Sequence, residues 1–154
     1  MMEPLARLTG FFVAHAIWSV SDGGPLVPFV AGEMSNGERT LDRFVAERLE
    51  DSVEQARQAF TSNPREVVRL VLAYDGYITL PDGKTDAIFF VARDVATGET
   101  LEGEVPYRAV GTPPGFAVFK PKLSVPEAGG GFFDGVDAHV EGAQVWNAHL
   151  DQSR

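Results

Sequence analysis

The chain has 154 residues, of which 44% are hydrophobic and 23% charged, with a formal net charge of −9 and no cysteine. That length and balance fit one globular domain, and the missing thiols exclude disulfides, thiolate metal sites and a cysteine nucleophile. No run of Lys or Arg offsets the acidic surplus, which argues against nucleic-acid or anionic-membrane binding and predicts a soluble, cytoplasmic protein.

Pro4 suits a first helical turn. Leu5, Leu8, Phe12 and then His15 or Ala16 follow the spacing of a helix face, widened by Phe11 and Trp18. The apolar stretch from Gly10 to Trp18, followed by Ser19 and Ser21, has the length of a signal-peptide core. Glu3, His15 and Trp18 argue against export, so the stretch reads as a buried helix that stops at Ser21-Asp22-Gly23-Gly24-Pro25. It is too short for a membrane span, which needs about 20 apolar residues.

Leu26 to Met34 reads as a short strand, placed at an edge or a bulge because Pro28 has no N–H to give. Ser35-Asn36-Gly37 is a turn. Leu41, Val45, Leu49, Val53, Ala56 and Phe60, with Phe44 beside them, then predict a long amphipathic helix. Thr40 would cap it, Asp42 would suit its dipole and Asn63-Pro64 would end it.

From Val67 the period becomes two, and Val68, Leu70, Leu72, Tyr74, Ile78 and Leu80 mark a strand. Pro81-Asp82-Gly83 is a hairpin turn into a strand over 87–95. Ala96-Thr97-Gly98-Glu99 turns the chain into a more polar strand over 101–110. Thr112-Pro113-Pro114-Gly115 breaks that run, and Phe116-Ala117-Val118-Phe119 begins an edge strand bounded by Pro121 and Pro126. Gly129-Gly130-Gly131 reads as a hinge. Beyond it, Val136 to Leu150 is either a helix with His139, Ala143, Trp146 and Leu150 on one side or a loosely attached tail.

The predicted class is α+β: an antiparallel meander of four to five strands curled against a long amphipathic helix, with an extra N-terminal helix. Residues 1–126 form the domain, and 127–154 a hinge with a tail or short helix of the same domain. The order strand, long helix, four-strand meander resembles that of the cystatin-like rolls, which implies a curved sheet around a helix. Element order alone carries this resemblance, so it transfers no function.

No phosphate loop, dinucleotide fingerprint, zinc-protease motif, nucleophile elbow or calcium loop is present in the sequence, and neither a cofactor nor a metal is expected. His15 is the first catalytic candidate. With Trp18 and Asp22 it could line a pocket, or it could be a core histidine bonded to the backbone. Asp75, the second, lies in Tyr74-Asp75-Gly76-Tyr77, where mid-strand glycine suggests either a functional bulge or a kink that bends the sheet. Tyr74, Tyr77 and, on the partner strand, Asp86 and Arg93 complete this candidate ligand patch. Asp137, His139 and Glu141 alternate and would share a face as metal ligands on a strand but not on a helix; an ordinary polar tail is the other reading. His149 is expected exposed. Tyr107-Arg108, Lys120 and Lys122 are the local departures from acidity, suited to pairing with Glu102 and Glu104.

Val71, Ala73, Ala87, Phe89 and Val91 make both faces of the central strands apolar, so the second face needs a cover, which the N-terminal helix or a second copy of the chain could supply. The expectation is therefore a non-enzymatic interaction or assembly domain that self-associates, as a homodimer, or takes a protein partner. The alternative is a small-molecule binder or enzyme with a pocket between helix and sheet.

Overall fold

A computed structural model describes residues 2–152. Met1, Ser153 and Arg154, the outer ends of the predicted domain and tail, lie outside the described residues. The class is α+β with an antiparallel sheet. Helix α1 (Glu3–Val20) leads to the hairpin β1 (Phe29–Glu33) and β2 (Arg39–Arg43), then to helix α2 (Leu49–Ser62). Strands β3 (Arg69–Leu80), β4 (Gly83–Asp94) and β5 (Thr100–Arg108) form a meander, followed by the short β6 (Ala117–Val118) and β7 (Lys122–Leu123). A 3₁₀ turn at Pro126–Ala128 leads into α3 (Gly129–Ala138) and α4 (Val140–Ala148). The seven described strands run β2-β1-β3-β4-β5-β6, with β7 also paired to β5.

Alternation sorts the sheet into two faces. On one lie Phe29, Ala31, Val71, Ala73, Ile88, Phe90, Ala92, Leu101 and Val105, all buried under α1, α3 and α4. On the other, Val30, Leu70 and Leu72 pack with Val67 beneath Ala56, Ala59 and Phe60 of α2. A helix therefore lies on the meander as the roll-like order implied, but the larger core belongs to α1 on the opposite face. The stretch that resembled a signal core is buried through Phe12, Val13, Ala14, Ala16 and Ile17. Just before it in α1, the buried Thr9 hydroxyl is satisfied by donating to the carbonyl of Leu5 at 2.7 Å.

Several expectations are corrected. The long helix begins at Leu49, and Thr40 lies in strand β2 instead of capping it. Leu41 packs against the α1 core from that outer strand. Pro28 does not mark an edge: it precedes β1, which lies between β2 and β3, and its carbonyl accepts from the N–H of Phe44 at 2.9 Å. No bulge interrupts Tyr74–Tyr77, because β3 and β4 pair without a break from Arg69↔Asp94 to Leu80↔Gly83. Gly76 has a packing reason instead: a Cβ there would meet the Phe89 ring at 2.9 Å.

The largest correction is at the end of the chain. Gly129-Gly130-Gly131 form the first turn of α3 rather than a hinge, and the segment after them is helical instead of a loose tail. Helices α3 and α4 dock on α1, burying Phe132, Val136 and Trp146. The docking is close enough to require glycine. A Cβ on Gly10 would overlap the carbonyl oxygen of Phe132, and one on Gly135 would overlap that of Arg7. Glycine here removes the side chains that would hold the two backbones apart.

Candidate functional site

The seven residues singled out from the sequence fall into three separate places. Among the described residues no hydrogen bond joins His15 to Asp75.

The first place is the outer flank of α1. His15 Nδ1 lies 3.1 Å from Nε2 of His139, the residue between α3 and α4. His139 is buried and caps α4, its Nδ1 accepting the N–H of Gly142 at 3.0 Å. A neutral ring whose Nδ1 accepts must carry its proton on Nε2. His139 therefore donates to His15, leaving the His15 proton on Nε2. Trp18, Phe29 and Phe11 frame the pair: Trp18 lies 5.7 Å from each imidazole and is 42% exposed. Burial holds His15 below the ordinary imidazole value, and the charges of His139 and Arg43 push the same way. The sequence set Trp18 beside His15, where it lies, but it did not foresee His139, since that contact spans 124 positions and leaves no local signal. His139 does not share a face with Asp137 and Glu141 as a strand ligand would. The described residues contain no group of three or more His, Asp or Glu placed to hold a metal ion. His149 is exposed against Phe116.

The second place is the far end of the same sheet face. Tyr107 on β5 donates its hydroxyl to the Asp75 carboxylate on β3, with both oxygens at 2.8 Å. By register Asp75, Tyr77 and Asp86 share this face with Tyr107. Burial raises Asp75 above the usual aspartate range and the charge of Asp86 adds to it, against bonds from Tyr107, Gly76 and Leu26. Tyr107 is likewise raised, first by burial and then by the Asp75 charge. The Asp75 carboxylate ties β3, β5 and the segment entering β1 together. Tyr77 is 60% exposed with Lys84 Nζ 4.4 Å above its ring.

The third place is the α2 side, where Tyr74 and Arg93 point away from Asp75. Arg57 of α2 donates to the Tyr74 hydroxyl at 2.9 Å, and Tyr74 stacks on Phe89 at 5.5 Å. Arg93 reaches back to the end of α2, donating to the carbonyls of Phe60 and Thr61 at 2.7 and 3.2 Å. These last carbonyls of a helix have no partner within it, and a cation satisfies them. Arg93 is thus a helix anchor rather than a neighbour of Asp86.

The α2 helix covers only the β1–β3 half of this side. Beyond Arg57 a shallow trough runs over Phe89, Val91, Glu102 and Glu104 to Lys122 and Leu123. Glu104 pairs across from Phe89 and Glu102 from Val91, so the apolar strip has a carboxylate border on its β5 flank. Apolar surface also stays open at the start of α2 and in the connection before it, with Leu49 51% and Val45 78% exposed. No helix among the described residues is long and apolar enough to cross a membrane. Comparison with known proteins finds no matching family model, curated protein or solved structure.

Proposed function

We propose that this chain is an interaction and assembly domain that pairs with a second copy of itself across the α2 side of its sheet. The observation that supports this reading is the half-covered apolar surface there. Phe89 and Val91 are only half-buried while their neighbours on the opposite face, Ile88, Phe90 and Ala92, are fully packed. Removing such surface from water contributes about 25 cal/mol per Å².

Charge favours a second copy as the occupant. The strip is bordered by Arg57 on its α2 flank and by Glu102 and Glu104 on its β5 flank, with Lys122 beyond Glu104. A two-fold axis parallel to β4 exchanges the flanks, setting each Arg57 against the partner's carboxylates, as an isologous interface requires. The same operation brings each α2 toward the half of the sheet that its partner leaves uncovered. The net charge of −9 opposes association at long range, but that repulsion is screened beyond about 8 Å at physiological salt.

Light scattering on gel-filtered protein tests the proposal. The expected result is twice the chain mass at micromolar concentration, with Phe89→Glu reverting to a folded monomer. Arg57→Glu and Glu104→Arg should each weaken pairing, and the double variant should restore it. A wild-type protein that stays monomeric overturns the reading, as does a dimer indifferent to all these changes.

A further inference from the structure

On the other side of α2 from the trough, a cavity of about 330 Å³ opens between the β1–β2 hairpin, the end of α2 and the connection to β3. Val30, Phe44, Ala59, Val67 and Leu70 give it an apolar lining. At its rim Arg65 donates Nε and Nη2 to the two carboxylate oxygens of Asp42 at 2.5 and 2.7 Å. Thr40 adds a hydroxyl to the same wall. The connection that closes the cavity is held in a defined shape. Asn63 and Glu66 both adopt positive φ, 51° and 52°, a conformation that costs a non-glycine residue energy and persists only where its surroundings enforce it. The Asn63 side chain supplies that enforcement, donating to the Val67 carbonyl at 3.0 Å and accepting from the Val67 N–H at 3.1 Å.

We propose that this cavity binds a free α-amino acid with an apolar side chain, the ammonium on Asp42, the carboxylate on Arg65 and the side chain among Val30, Val67 and Leu70. The rim decides the ligand class. It presents the Asp42 carboxylate and the Arg65 guanidinium side by side above an apolar floor, while the side chain of Arg43, which also borders the cavity, belongs by register to the opposite face with Phe29. A simple carboxylate would face Asp42 as a like charge, and a simple amine would face Arg65. A zwitterion carrying both charges on one carbon can enter between them, and each protein group then exchanges one opposite charge for another. Opening the original pair costs little, because Arg65 and Asp42 are 53% and 38% exposed and exposed ion pairs contribute little. The cavity volume is near the lower end of ligand pockets and suits a ligand of this size.

Titration calorimetry of the intact chain with L-leucine and L-phenylalanine tests this, with N-acetyl-L-leucine, L-leucinamide and glycine as controls. The two free apolar amino acids should bind. Each control should bind about tenfold or more weaker, the order of one lost charge-assisted or apolar contact. Asp42→Asn and Arg65→Gln, checked as folded by circular dichroism, should lose the preference for the zwitterion over its blocked forms. If either fails to fold, amide shifts of the wild-type protein on adding L-leucine decide the matter: they should centre on Gly32, Asn63 and Val67. Equal binding of blocked and free forms overturns the proposal, as does no binding at millimolar concentration or shifts centred elsewhere.

Discussion

Nδ1 of His15 and Nε2 of His139 face each other at 3.1 Å, joining the middle of α1 to the cap of α4. With the Gly142 N–H held by His139 Nδ1, the pair forms a one-way chain of donors. An added proton has no free nitrogen facing an acceptor in this chain. On His15 Nδ1 it removes the acceptor that His139 needs, and on His139 Nδ1 it meets the Gly142 N–H.

Acid should therefore loosen this joint. The folded His15 is held below its ordinary value of 6.5, so between the two values the unfolded chain binds more protons. The resulting stability is present above about 6.5 and is lost as the pH falls from there toward the folded value. The Arg43 charge adds to the effect. Thermal melts should show Tm falling between pH 7.5 and 5 in the wild type and falling less in His15→Gln. A flat wild-type profile in that window would contradict the donor chain.

Asp75 works in the opposite sense. Its folded value lies above the ordinary 3.8, so its ionisation opposes folding, and that cost is relieved as the pH falls through the folded value. Tyr107→Phe removes the hydroxyl that serves both carboxylate oxygens. It should cost roughly 1.5–3 kcal/mol at pH 7, the range for a hydrogen bond to a charged group. The cost should shrink near pH 4, where the carboxyl binds its own proton. Urea melts of the variant at both pH values check this, and an equal loss at both would show that the hydroxyl does not serve the carboxylate.

The glycines of α1 and α3 divide cleanly by what surrounds them. Gly10→Ala and Gly135→Ala place a methyl group against backbone and should each cost roughly 1–3 kcal/mol, as overpacking does. Gly130→Ala meets nothing within 4 Å, and helix propensity should leave stability unchanged or raise it by less than about 1 kcal/mol. Chemical denaturation of the three variants separates close docking from mere chain freedom.

Arg69 is the charged hub of the opposite sheet end, with Nε 2.9 Å from Asp94 and Nη1 2.8 Å from Glu33. Asp94 is only 6% exposed. Arg69→Met keeps most of the side-chain bulk but leaves Glu33 with Arg39 alone and Asp94 with the backbone N–H groups of Ala96 and Thr97 in place of a cation, and should cost roughly 1–3 kcal/mol. Adding Glu33→Gln should recover part of the loss, whereas strictly additive losses would show that the two residues do not couple.

Much of the architecture is legible in local patterns, and the misreadings have physical causes. The alternating runs of β3 and β4 and the Pro81-Asp82-Gly83 turn are local, and they fold as their patterns predict. Residues four apart share a face on both a helix and a strand. Leu41, Val45 and Leu49 therefore fit either, and strand pairing with β1 settled the matter for Arg39–Arg43. The glycines of α3 carry a flexible signature in isolation, and only the approach of α1 gives them a purpose. For the sites, sequence placed Asp75 and Asp86 on neighbouring strands, and they do share a face. It could not pair His15 with His139, and it grouped Arg93 with Asp86 although a single-residue difference in parity puts them on opposite faces.

The contact between α1 and α3 also dictates an order of events. Helix α1 leaves the ribosome well before the helix that covers it, so α1 has no complete shelter until Phe132 and Val136 arrive. A chain halted after Pro126 would present the α1 face of Ala6, Gly10 and Ala14, against which Gly131, Phe132 and Gly142 pack, to solvent and to chaperones. Synthesis must pass α3 and α4 before the main core can close, and loss of these two helices should yield an aggregating fragment rather than a smaller working domain.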